Sequence, residues 1–434
     1  MLRVYPVREF ESRFVTSLRA QPWDLTLEER VREILQGVRD AGDAAVIAYM
    51  EMFDSVALDP SEIRVSEGEI AQGAQEAQGD LVEALELAIG NLRDFHRQEV
   101  PRNWWRIRED GTLFGQLVRP MERVGLYVPG GRAAYPSSLL MGAVPAQIAG
   151  VKEIVVCTPP DPSGVVNPAV LAAASSLGID RVYRIGGAHA VAAMAFGTET
   201  VPAVDMIAGP GNRYVTAAKR LVYGMVQVDS LAGPSELAVI CDAGADPVTV
   251  AADLLAQAEH DPDARVFLFA TDPEVVEAVS GELHRQLPQI SRSAIARQAL
   301  AGDSGAVVAT EETLWSLVNA LAPEHLSLRI ADPIGALGNV RHAGAVVLGD
   351  LSAVSFTDYT AGPNHILPTA GTARFASPLG VESFTKRTNI LQVSQQGFDS
   401  LAPATRILAR VEGLDGHARA VEARGGRLCP TERE

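Results

Sequence analysis

Beyond residue 120 the chain alternates short, almost wholly apolar runs with helical stretches, and this pattern constrains the fold more than any other feature. EIVVCTPP, ELAVICD, ARVFLFAT and SGAVVAT show no regular alternation of polar and apolar residues. A strand with one wet face alternates; a strand covered on both faces does not, so these runs predict parallel strands between helix layers. SSLLMGAVPAQIAG, NPAVLAAASSLG and AHAVAAMAFG are the intervening helices of a first set, and 248–260, 272–288 and 312–321 of a second. The fold class is therefore α/β, with two doubly wound domains over about 126–234 and 235–380. No G-x-G-x-x-G follows a first strand, so the usual dinucleotide fingerprint is missing. YVPGG, with its Gly130-Gly131 turn, and RIGGAHA are the nearest substitutes.

The flanks read differently. Residues 1–25 form an N-terminal arm, and 26–103 are mostly helical. Thr26 with Glu29, and Ser66 with Glu69, have the spacing of capping boxes. Residues 104–125, opening on Trp104 and Trp105, suggest short antiparallel strands that act as a linker. Residues 381–434 read as a small helical tail, too short for a core of its own and expected to dock on the body or on a second subunit.

Charge and cysteine usage narrow the function. Asp and Glu outnumber Lys and Arg by 54 to 37, a net charge of -17. That disfavours nucleic acid or an anionic membrane as the main partner, because phosphate backbones need surplus cationic side chains. There is no apolar signal core and no apolar run of membrane length, and three cysteines make no disulfide framework, so a reducing cytoplasm is the expected location. Cys157 and Cys241 end buried strands and Cys429 lies in the loose tail, so none is an attractive thiolate nucleophile. Any oxidation to the acid level should use activated water.

Several residues can carry chemistry. Asp246-Pro247 reads as a helix cap, and Gln257 and His260 fall three apart at that helix's end. The negative end of the helix dipole there favours a cation, although a plain polar fringe has the same sequence signature. IAGPGN, LAGPSE and TAGPNH, at 207–212, 231–236 and 360–365, repeat one Gly-Pro turn and suggest a site built from several loops. His260, His325, His365 and His417 stand beside turns. Glu324-His325 sets two acid/base groups side by side, with an exposed turn pair as the plain alternative. Asp358 is the nearest carboxylate suited to a metal, and Gln257, His260, Asp358 and His417 would offer Zn²⁺ a mixed N/O set. There is no HExxH.

YVPGG, IGGAHAVAAMAFGT, DMIAGPGNRYVTAAKR, AGPSE, LLAQAEHDP, APEHL, DYTAGPNHILPTAGTARF and EGLDGHARAV occur in one order over residues 15–425, and in this the chain resembles the histidinol dehydrogenases. The resemblance implies two incomplete Rossmann-like domains with smaller accessory parts. It also implies a homodimer whose tail completes the partner's site, one Zn²⁺ per subunit, and two NAD⁺-dependent oxidations that take L-histidinol through histidinal to L-histidine. The helical residues 26–103 are expected to pack with the second α/β domain. Carried over by motif, the zinc ligands are Gln257, His260, Asp358 and, from the other subunit, His417. The acid/base pair is Glu324 and His325. Substrate contacts are Ser235, Gln257, His260, His325, Asp358, Glu412 and His417, and dinucleotide contacts are Tyr127, His189 and Asn212. His189 departs from the family's usual glutamine. The rival readings are a relative that oxidises another amino alcohol or diol, a zinc hydrolase without a redox partner, and a non-catalytic scaffold.

Overall fold

The structure is a computed structural model that describes residues 2–16, 24–77, 79–130, 135–231 and 233–425. Gly131 and Cys429, named above, lie outside the described residues, as does Ala232 of the second Gly-Pro turn. The chain divides into two compact units. The first comprises residues 1–100 and 121–384, the second 101–120 and 385–434.

The second unit holds β1 (Trp104–Ile107) and β2 (Leu113–Pro120). The first unit holds β3 (Arg123–Tyr127), β4 (Glu153–Cys157), β5 (Val182–Tyr183), β6 (Met206–Ala208), β7 (Gln227–Val228), β8 (Glu236–Cys241), β9 (Arg265–Ala270), β10 (Gly305–Val308), β11 (His325–Arg329) and β12 (Ala345–Leu348). β13 (Thr385–Gln392) returns to the second unit.

Two five-stranded parallel sheets form the first unit, in the orders β5-β4-β3-β6-β7 and β10-β9-β8-β11-β12. The two orders are the same. Each sheet starts at its centre, moves outward by two strands, then crosses to the other side. The switch points are β3/β6 and β8/β11, where such sheets open a crevice. β8 and β11 are buried at every residue; the apolar run of β8 predicts this for a doubly covered strand, whereas β11, HLSLR, buries His325, Ser327 and Arg329 as well. Among the described residues no helix is long and apolar enough to cross a membrane.

The helical N-terminal region packs chiefly on the first sheet's helices, and its last helix also reaches the second domain, where Asn91 donates to the Thr360 carbonyl at 2.7 Å. Leu25–Asp54 lies on Gly187–Phe196 and Arg213–Val222, Glu67–Glu76 on Pro168–Ser176, and Gly79–Arg97 on Pro136–Ala149. The reason is shape. Val31, Ile34, Leu35 and Val38 form one stripe, and the alanine-rich GAHAVAAMAF helix offers a smooth face to it. The N-terminal arm is what covers the second sheet. Val4 bridges to Ala306, and Phe10 and Phe14 pack edge-on against Phe267.

Local signals fared unevenly. Ser66 and Glu69 form their capping box. The first helix, however, is capped by Asp24, which accepts from Leu27 N–H at 3.0 Å, rather than by Thr26. Gly42, at φ 55° and ψ -133°, breaks that helix into two segments.

In the second unit β1, β2 and β13 make one antiparallel sheet, joined by the helices Gln395–Val411 and Asp415–Gly425. The stretch read as a linker and the stretch read as a helical tail are therefore parts of one sheet. The tail opens with a strand that its polar sequence TKRTNILQ hid.

Candidate active site

Pro247–Ala258 forms as its ends dictate: Asp246 accepts from Val248 N–H at 3.0 Å, and Pro247 occupies the first turn. Val250, Leu254, Leu255 and Ala258 seat it in the core. Its last turn leaves Gln257 buried and His260 exposed beyond the helix end. Protein packed around it lowers the His260 pKa by stripping water from the charged form, partly offset by Glu259.

β11 brings in the acid/base pair. The preceding helix Glu311–Leu321 ends on Ala322 in the left-handed region, φ 53°, an uncommon conformation for a residue with a side chain. The turn delivers Pro323-Glu324-His325 to the first position of β11, beside Leu237 of β8. Glu324 and His325 are both buried, so the exposed-turn alternative fails. Glu324 Oε2 accepts from Glu236 N–H at 2.7 Å. His325 Nδ1 lies 3.8 Å from that same oxygen, and Nε2 lies 3.7 Å from Asp358 Oδ1. Among the described residues neither ring nitrogen has a hydrogen-bond partner. Two orphaned nitrogens on a buried ring are a receptor for something else.

Val354–Tyr359 packs against Pro247–Ala258 and carries Asp358 towards this group. The Asp358 carbonyl accepts from His365 Nδ1 at 2.8 Å. That leaves His365 Nε2 as the acceptor, to which Ser138 Oγ donates at 3.4 Å. Ser235 is half-buried at the lead into β8.

Burial sets the ionisation. It pushes Glu324 well above the carboxylate range, with Glu236 and Asp358 adding repulsion against the pull of the Glu236 N–H. Asp358 rises to about 6 and Glu236 to about 7, both from burial. His325 and His365 are held down to about 4, again by burial first. Acids that resist losing protons beside bases that resist gaining them mark a dry pocket that disfavours unpaired charge of either sign.

The fit to a metal follows from this donor set. His260 and the Gln257 amide, at one helix C-terminus, and Asp358, on a second helix, are N and O donors of the kind a zinc site would need. Among the described residues no three His, Cys, Asp or Glu side chains group so as to hold a metal ion. His417 and Glu412 are in the second unit, both exposed, on the helix Asp415–Gly425 and at the end of Gln395–Val411.

The dinucleotide candidates lie at the other sheet. Tyr127 ends β3, and its hydroxyl accepts from Gly187 N–H at 3.1 Å. Burial raises the phenol to about 12, so it stays protonated. His189 is 2 % exposed, with neither nitrogen hydrogen-bonded among the described residues; Nε2 lies 3.7 Å from Asp54 Oδ2. The ring faces inward between Tyr49 and Phe53 and is kept neutral, its pKa near 4. Asn212 caps Arg213–Val222, accepting from Tyr214 and Val215 N–H. The intervening Gly209 is clamped at both ends: its N–H donates to Asp229 Oδ2 at 2.8 Å, and its carbonyl accepts from Lys219 Nζ at 3.0 Å. Lys219 and Asp229 are themselves a buried ion pair. A Cβ on Gly209 would sit 2.1 Å from the Tyr127 carbonyl, and its φ is 117°, so only glycine fits.

Tyr127, Gly187 and Gly209 lie at or just after strand C-termini of the first sheet, whereas Glu236 and His325 open strands of the second. Ser138, in the first turn of the helix after β3, reaches His365 at 3.4 Å. Sequence reading missed Glu236, Lys219 and Asp229. No motif separates a buried charge from a surface one until the neighbours are known.

Known proteins resemble the whole chain. A sequence model of the histidinol dehydrogenase family matches residues 19–425. A histidinol dehydrogenase of Synechococcus sp. is 49% identical over 398 residues, 92% of each chain. One from Lactiplantibacillus plantarum is 48% identical over 414 residues, 95% of this chain and 96% of that one. The crystal structure of histidinol dehydrogenase from Elizabethkingia anophelis shares 37% identity, covers 98% of both chains and superposes with a TM-score of 0.92. An acetylating aldehyde dehydrogenase from Geobacillus thermoglucosidasius, 15% identical, covers 86% of this chain and 98% of its own at a TM-score of 0.50, a likeness of fold alone. The chain belongs to the histidinol dehydrogenase family and is an oxidoreductase.

Proposed function

We propose that the protein oxidises L-histidinol to L-histidine through histidinal, reducing two NAD⁺, as the last step of histidine biosynthesis in the cytoplasm. The observation that carries this reading is the buried Glu324-His325 pair at 3.8 Å, with Asp358 3.7 Å from the other ring nitrogen. Bound Zn²⁺ supplies a fixed positive charge that holds an imidazole and an amine still. Gln257, His260 and Asp358 would hold it, with His417 and the substrate contact Glu412 coming from the other subunit of a homodimer.

The chain's own residues divide the work. His325, neutral because burial holds its pKa near 4, is free to take the alcohol proton on its unpartnered nitrogen. Ser235 and Asp358 orient the substrate. Glu324 must lose its proton before it can activate water against the aldehyde, and positive charge gathered in the pocket favours that loss by offsetting the repulsion from Asp358. The buried surroundings keep the aldehyde from bulk water between steps. Tyr127, Asn212 and the Gly209 turn position the dinucleotide, with His189 behind them.

Supplying the zinc-loaded protein with L-histidinol and NAD⁺ tests the reading: two NADH should form for each histidine. One NADH with an aldehyde product, or oxidation of other amino alcohols but not histidinol, would replace it. The Gly209 clamp gives a separate prediction. Asp229→Asn should raise the KM for NAD⁺ roughly 10-fold with kcat less affected, because the lost carboxylate strands Lys219 and frees the turn. Steady-state kinetics at saturating histidinol measure it.

A further inference from the structure

Arg329 ends β11 and is 1% exposed. Its Nη2 pairs with Asp253 and donates to the Ser352 carbonyl at 2.9 Å, and its Nη1 donates to the Gly349 carbonyl. Asp253 is 5% exposed and stands one turn before Gln257 on the helix Pro247–Ala258, on the same face. Its carboxylate faces the Val354 N–H, the first residue of Val354–Tyr359, and so lies at the start of the helix that carries Asp358.

One buried ion pair thus joins three elements. β11 presents His325 at its first residue and Arg329 at its last. The helix before β9 presents Gln257, and the short helix after β12 presents Asp358. Val354–Tyr359 has six residues, too few to hold a fixed direction without an anchor at its start. The anchor is a charged pair where packed apolar side chains would hold the fold as well. Directional bonds to the Ser352 and Gly349 carbonyls do what apolar packing does not: they fix the segment that leads into the short helix.

We propose that Arg329 and Asp253 are positioning residues that set the gap between the helix bearing Gln257 and the helix bearing Asp358, and with it the site's affinity for its cation. The proposal rests on the reading that Gln257 and Asp358 hold that cation. Neither Arg329 nor Asp253 touches substrate or metal.

The test is equilibrium competition for Zn²⁺ between the full-length, metal-stripped protein and a chelating dye. Asp253→Asn and Arg329→Lys should weaken zinc roughly 10- to 100-fold, the range for groups that orient ligands from behind. Thermal melting and NAD⁺ binding are recorded on the same samples, and NAD⁺ binding should not change. A double variant, Asp253→Leu with Arg329→Met, separates positioning from stability. It should recover melting temperature without recovering zinc affinity. Zinc affinity equal to wild type in both folded single variants overturns the proposal, as does affinity that returns with stability in the double variant. If Asp358→Ala weakens zinc and Asp253→Asn does not, the proposal falls and the ligand reading stands. If the wild-type protein binds no zinc, both fall.

Discussion

Glu324→Gln should leave the first oxidation within a few-fold of wild type and slow the oxidation of histidinal by roughly 10²- to 10⁴-fold, the usual worth of a general base. The substitution is a clean one. Glutamine keeps the volume and an oxygen to accept the Glu236 N–H, now made at 2.7 Å, and loses only the titration. Feeding histidinal and histidinol separately, in single turnovers, isolates the step. In the wild type, histidinal oxidation should rise with pH as Glu324 ionises, because burial holds its carboxyl well above the usual range. The glutamine variant should lose that rise.

Stability should move the other way. A carboxyl whose folded pKa is raised stabilises fully below its unfolded pKa, and that contribution is lost as pH rises through the folded value. Glutamine removes the loss. The metal-free variant should therefore match wild type in acid and melt higher than it above neutrality. Melting curves across pH read this directly.

His260→Ala should abolish turnover while the fold persists. His260 lies beyond its helix end, exposed in the single chain, and supports no core packing. Its removal should cost more than the roughly 10- to 100-fold in zinc affinity that losing a residue behind the ligands produces. His417→Ala, in the other unit, should behave alike for the same reason. Dye competition for zinc, with circular dichroism to check the fold, measures both.

How much of this was legible beforehand depended on range. The buried parallel strands were readable because a strand covered on both faces cannot afford polar alternation, and the Asp246 cap and the Ser66-Glu69 box were readable because their bonds span two or three residues. β13 was not: its residues are half-buried or exposed, and its pairing with β2 reaches from Thr385 back to Pro120. The placement of the N-terminal helices was legible only in part, because an apolar stripe does not say which of two similar sheets it will cover. At the site, Glu324 and His325 stood out by adjacency. Glu236, Asp253 and Arg329 did not, because their meaning lies in pairings such as Asp253 with Arg329, 76 positions apart.

The central claim is that one cation gathers side chains from Pro247–Ala258, from Val354–Tyr359 and from a neighbouring subunit's tail. Mixing the His260→Ala chain with the His417→Ala chain, each inactive alone, tests it most directly. In a mixed dimer one site regains both histidines and the other has neither, and random exchange makes half the dimers mixed. Activity should recover to about one quarter of wild type. Mixed dimers proven to form, yet no more active than their parents, would contradict the account.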